Sequence, residues 1–109
     1  LSITLEWMSL KDHNQLPINY SLDQNYPNPF NPRTQINYEL PENSYVNITI
    51  FDILGNMVCN LVSQKESAGY KTIEWRAAND QGHPLSAGVY LYKIEAQKFI
   101  EVKKMILVK

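Results

Sequence analysis

Apolar and polar residues alternate along most of this chain with a period of two. In TQINYEL the apolar positions are Ile36, Tyr38 and Leu40; in YVNITIFD they are Val46, Ile48 and Ile50, with Asn47 and Thr49 turned the other way. KTIEW supplies Ile73 and Trp75, and GVYLYKIEA supplies Tyr90, Tyr92 and Ile94. This alternation, rich in β-branched and aromatic residues, predicts strands with one buried face. ITLEW near the start and NMVCNLV in the middle are two shorter candidates. The closing run FIEVKKMILVK puts Phe99, Met105 and Leu107 on one face and Ile100, Val102, Ile106 and Val108 on the other. Being apolar on both faces, it is expected inside a sheet or under a cover. No window carries a helical stripe. The expected core is Ile36, Val46, Ile48, Ile50, Ile73, Trp75, Tyr90 and Tyr92.

Proline and glycine divide the chain into two styles. Every proline but Pro84 precedes residue 42, and every glycine follows residue 54. Gly55, Gly69, Gly82 and Gly88 fall between apolar runs, where strand-connecting turns call for positive φ. Short strands between such signals predict an all-β fold, an immunoglobulin-like antiparallel β-sandwich of about seven strands. It has no disulfide, because Cys59 is the single cysteine. A length of 109 residues suits one domain with one core. The first residue is Leu1, so the chain reads as part of a longer protein.

The segment NYPNPFNP fits neither a helix nor a central strand. It packs Pro27, Pro29 and Pro32 among Asn25, Asn28 and Asn31, with Tyr26 and Phe30 as its aromatic residues. Each proline fixes its own φ, lacks an N–H and holds the preceding residue extended. Asparagine side chains close short turns on their own backbone. The result is a stiff, turning, extended segment in which Phe30 is the available apolar anchor.

Charge excludes more than it proposes. The net charge of −1 gives no general reason to expect a nucleic-acid partner. Its distribution is uneven: residues 93–109 hold five lysines and two glutamates, a surplus of +3 on an otherwise acidic chain. No apolar run reaches the roughly 20 residues of a membrane span. His13 and His83 stand apart from one another and from carboxylates at metal-ligand spacing, so no metal or cofactor is expected. Ser86, His83 and Asp80 share one turn, which is poor geometry for a catalytic triad. Asp80 with the carbonyls around Gly82 offers too few carboxylates for calcium. Cys59 falls in a strand and reads as a small core residue. NYS at 19 and NIT at 47 match a glycosylation pattern that matters only in a source that makes such glycans. Nothing here indicates an enzyme.

In order along the chain, LDQNYPNPFNPRTQINYELP, VNITIFDILGNMVCNLV, AGYKTIEW, SAGVYLYKIEA and the closing KKMILVK resemble the C-terminal sorting domain of the type IX secretion system. The likeness runs from about Leu22 to Lys109. NYPNPFNP followed by threonine is its most specific part. FDILGN is weak alone, since the immunoglobulin-like domain of flagellar hook-capping proteins has similar strand–turn patterns. The resemblance implies a non-catalytic address label with an outer-membrane translocon and a surface sortase as partners. A larger cargo domain would precede it, in transit through the periplasm to the cell surface or medium, and the domain is commonly removed afterwards. It also implies two sorting elements: the lead-in Asn25–Pro32, and the closing strand of Lys103, Lys104, Met105, Ile106, Leu107, Val108 and Lys109.

Two departures stand out. After Trp75 the family often has an Asp-Gly turn, whereas this chain reads Arg76-Ala77-Ala78-Asn79-Asp80. Residues 1–21 lie outside the pattern; Ile3, Leu5 and Trp7 alternate there, as the end of an upstream cargo domain, a linker, or a strand recruited by residues 22–109. The competing assignment is an immunoglobulin-like adhesion or carbohydrate-binding module, or a structural spacer, retained on the mature protein.

Overall fold

The computed structural model describes residues 15–109. Seven strands follow in order: β1 Ser21–Leu22, β2 Thr34–Leu40, β3 Ser44–Asp52, β4 Met57–Glu66, β5 Gly69–Trp75, β6 Gly88–Ala96 and β7 Phe99–Leu107. There is no helix among the described residues. All pairings are antiparallel and form two sheets, ordered β1-β2-β5 and β4-β3-β6-β7. This is an immunoglobulin-like order in which the fourth strand joins the third rather than the fifth. ITLEW lies outside the described residues. The first described strand is instead Ser21–Leu22, too short for periodicity to reveal, and NMVCNLV lengthens into the ten-residue β4.

Each strand turns its alternate apolar residues into the space between the sheets. Ile36 and Leu40 of β2 and Trp75 of β5 meet Val46, Ile48, Ile50, Tyr92, Ile94, Met105 and Leu107 of the other sheet in one buried cluster. Ile73 is only partly buried, because β5 ends its sheet and has β2 as its sole neighbour. Trp75 stands edge-on to Tyr90 at 6.0 Å and bridges the sheets. The Tyr90 hydroxyl donates to the Ser86 carbonyl at 2.7 Å, the tyrosine corner found at this position of such sandwiches.

The connections use local side-chain bonds. Between β3 and β4, Asp52 Oδ1 accepts from the Leu54 and Asn56 amides, both at 2.9 Å, and Gly55 takes φ +91. Those bonds, that from Asn56 foremost, hold the Asp52 carboxyl below its ordinary range. After β5 the missing Asp-Gly turn is replaced by Ala77 at φ 57, and the Trp75 indole N–H donates to the Ala78 carbonyl at 3.1 Å. Asn79 Oδ1 then accepts from the Gln81 and His83 amides, closing a longer loop around Gly82. Gly69 and Gly88 open β5 and β6 at φ 143 and 153.

The closing strand differs from its expectation. β7 lies at the end of its sheet, next to β6 alone, and Ile100, Val102, Ile106 and Val108 are exposed. Apolar side chains on both faces imply burial only where something packs on the second face, and none of the described strands does.

Candidate functional site

The proline-rich lead-in and β7, which are far apart in sequence, meet along one side of the sandwich. Past β1 the chain continues beside β2: the Asp23 amide donates to the Asn37 carbonyl, and Tyr26 and Gln35 exchange both backbone bonds, all at 2.9 Å. The chain then crosses to the other sheet. The Phe30 amide donates to the Ile106 carbonyl at 3.0 Å, and the Val108 amide to the Phe30 carbonyl at 2.9 Å, forming a parallel bridge with β7. Between the two bridges lie Pro27 and Pro29, which donate no bond and leave the crossing unpaired. The three X–Pro bonds of the segment are cis. Prolines thus sit where a strand leaves one sheet for another.

The crossing is fixed at two depths. Phe30 is 1% exposed, with its ring 6.0 Å from that of Trp75. Asn25 is buried and fully engaged: its backbone N–H donates to Tyr92 Oη at 2.8 Å, and its Nδ2 to Thr34 Oγ1 at 2.8 Å and the Pro27 carbonyl at 3.2 Å. Tyr92 Oη in turn donates to the Asp23 carbonyl at 2.8 Å. Burial pushes the Tyr92 phenol up to about 12. On the surface, Asn28 Oδ1 accepts from the Ile106 amide at 2.9 Å and Gln24 Nε2 donates to the Lys104 carbonyl at 2.7 Å. Tyr26, Pro27, Asn28, Pro29, Asn31 and Pro32 are exposed.

Met105 and Leu107 of the closing run are buried, while Lys104, Ile106, Val108 and Lys109 face outwards. Lys103 Nζ lies 3.2 Å from Glu101, whereas Lys104 has no ion pair among the described residues. Where the lead-in, the 76–85 loop and the end of β7 converge, an open cavity of about 320 Å³ is lined by residues that include Pro32, Arg76, Ala77, Leu85, Leu107 and Lys109. The pattern of the sequence pointed to the lead-in and β7 separately. It gave no role to Gln24, Thr34 or the Tyr92 hydroxyl, and only Thr34, two residues after the proline segment, carried any signal.

Elsewhere among the described residues the reactive side chains named from the sequence stand apart. Cys59 is buried, and burial pushes its thiol up to about 11, so it stays protonated near neutrality. Asp80 Oδ1 accepts from the Asn60 amide at 3.1 Å and makes no bond to His83 or Ser86. Among the described residues no three or more His, Cys, Asp or Glu side chains come together as metal ligands would. No helix among the described residues is long and apolar enough to cross a membrane.

The sheet order, the tyrosine corner and the sheet-switching first strand define an immunoglobulin-like sandwich with a proline-built crossing. Residues 24–109 match the family model of the secretion system C-terminal sorting domain, and the chain belongs to that family. The family is generally non-catalytic and marks proteins for the type IX system, which exports them across the outer membrane. Among solved structures, dimeric latent PorU from Porphyromonas gingivalis is similar at TM-score 0.66 and 21% identity, over 84% of this chain and 10% of that one. PorZ, a surface component of the type IX secretion system of the same organism, gives TM-score 0.54 and 16% identity over 84% of this chain and 12% of its own. FlgD from P. aeruginosa gives TM-score 0.54 and 17% identity, covering 68% and 58%. At these identities the likeness is one of fold. The chain spans about a tenth of the PorU and PorZ structures. No curated protein sequence matches it.

Proposed function

We propose that the sandwich is a C-terminal sorting signal carried by a larger cargo protein. In this reading the cargo passes through the periplasm, the outer-membrane translocon recognises the folded sandwich, and a surface sortase then removes it. The domain itself catalyses nothing. The observation that carries the reading is the lead-in of a matched sorting family lying directly against β7, so that the two expected sorting elements form one continuous surface. The surplus of +3 over residues 93–109 lies on and beside that surface, which favours encounter with an acidic receptor and makes the rate fall with salt.

The test fuses the full chain behind a fluorescent protein exported to the periplasm of a host that has this secretion system. Ending the chain at Lys103 would remove the buried Met105 and Leu107, so the signal is probed by surface changes. The wild-type fusion reaches the surface or medium. A Lys104→Glu, Lys109→Glu fusion with unchanged melting temperature accumulates in the periplasm. Equal export of both removes the closing strand's cations from recognition. A folded wild-type fusion that stays in the periplasm overturns the sorting reading itself.

A further inference from the structure

The outer edge of β7 is closed over half its length and open over the rest. The groups that meet the lead-in are Lys104 O, Ile106 N and O, and Val108 N, all on even-numbered residues. In an antiparallel strand alternate residues aim their N–H and C=O at the same side. The N–H groups of Ile100, Val102 and Lys104 and the carbonyls of Ile100 and Val102 therefore also face away from β6. None has a partner among the described residues.

This open stretch has neither bulge nor proline to blunt it, and two of its three charges, Glu101 and Lys103, are paired with each other. β4, at the opposite end of the sheet, carries two register shifts, and β1 has only two residues. β5 exposes Tyr70, Thr72 and Glu74, a largely polar row. β7 pairs with β6 without a register shift from Gly88↔Leu107 to Ala96↔Phe99. Its outward side chains at the open end are Ile100, 60% exposed, and Val102, 49% exposed. A regular, unpaired edge with apolar outward side chains at two successive outward positions is a template for an added strand.

We propose that Ile100–Lys104 is a strand-docking site, receiving an extended segment of the secretion machinery by backbone pairing. The inference rests on the sorting reading above and names the chemistry of its partner. The incoming segment is apolar beside Ile100 and Val102 and acidic beside Lys104. Lys103 and Lys93 already have Glu101 and Glu95 at 3.2 and 3.7 Å, whereas Lys104 has no counter-charge among the described residues. A second copy of the chain would bring the same +3 surplus against it. In this arrangement the lead-in sets the register: with Phe30 and Asn28 seated at Ile106, an added strand has to stop at Lys104.

The probe is a capped heptapeptide with glutamate at both ends and alternating threonine and valine between, symmetric so that either strand direction presents a carboxylate to Lys104. Added to the full chain, it slows amide exchange at Ile100, Val102 and Lys104. Glu101 and Lys103, whose amides face β6, do not change. Val102→Pro removes an outward N–H and no ladder bond, so the fold is kept and the protection is lost. Val102→Thr keeps the N–H and the protection. Lys104→Glu weakens binding by up to about fivefold. In the export assay the Val102→Pro fusion is retained and the Val102→Thr fusion is released. No protection by millimolar peptide, or equal protection of the Val102→Pro chain, overturns the proposal. Protection that grows with chain concentration in the absence of peptide overturns it in favour of self-pairing. If Val102→Pro is exported like wild type, strand docking fails while sorting stands. If wild type itself is retained, the sorting reading fails, and the proposed partner with it.

Discussion

Phe30 and Tyr92 hold the lead-in by different physics, and each makes its own prediction. Phe30 is anchored by burial against Trp75, so Phe30→Ala removes a buried ring and leaves a cavity, costing about 3–5 kcal/mol. In a domain of this size the melting temperature should fall by at least about 10 °C, and an unchanged melting curve would make the segment a tether. Tyr92 holds the lead-in through its hydroxyl, which satisfies the Asn25 N–H and the Asp23 carbonyl. Its phenol is raised from 10.0 to about 12, so the neutral form is favoured by folding. That stability is fully present below pH 10 and is lost as pH rises towards 12. Tyr92→Phe should cost about 1–3 kcal/mol at neutral pH by stranding the buried Asn25 N–H and the partly buried Asp23 carbonyl. It should also flatten the loss of stability between pH 10 and 12 in alkaline denaturation; an unchanged alkaline limb would deny Tyr92 that role. Phe30 was legible in the sequence because it is the one large apolar side chain available to anchor a segment of prolines and asparagines. The Asn25–Tyr92 bond was not, since alternation tells which face a tyrosine takes and not which segment, 67 residues away, its hydroxyl reaches.

At the scale of elements, alternation located the longer strands, because a half-buried strand repeats every two residues. It failed for β1, whose two residues show no period, and it misplaced β7. The outward row of Ile100, Val102, Ile106 and Val108 reads as buried by composition, yet β7 sits at an edge and only its far end is bonded to the lead-in. The sequence marked both elements but contained nothing to say that they touch. Their contact predicts a gradient of amide exchange along one strand: Val108 and Ile106, whose amides are bonded to the lead-in, exchange more slowly than Val102 and Ile100. Asn28→Ala deletes the acceptor for the Ile106 amide, a loss of about 1 kcal/mol, and should speed exchange there about fivefold without changing Glu101 or Lys103. Uniform exchange along β7 in the wild-type chain would mean that the lead-in does not close this edge.

For the whole molecule, the open question is where the autonomous domain begins. The family match starts at residue 24, and the likeness visible in the sequence starts at about Leu22. The packing runs further back. Tyr20 stacks on Phe99 at 5.6 Å, its hydroxyl lies 2.8 Å from Ser44 Oγ, and Leu22 is buried beside β2. Pattern reading cannot extend through Asn19-Tyr20-Ser21, where one aromatic stands among polar residues, although that aromatic covers the turn end of β7. We therefore place the domain boundary before Tyr20, so that a chain starting at Gln15 keeps the stacked pair and the Ser21–Leu22 pairing. A chain starting at Asp23 loses the stacked pair, the Ser21–Leu22 pairing and a buried leucine worth about 1.5–3 kcal/mol. Its melting temperature should fall by about 6–20 °C, with the loss concentrated in exchange at Phe99 and along β2. If both truncated chains melt together with the full chain, Tyr20 belongs to the linker and the domain begins at the lead-in.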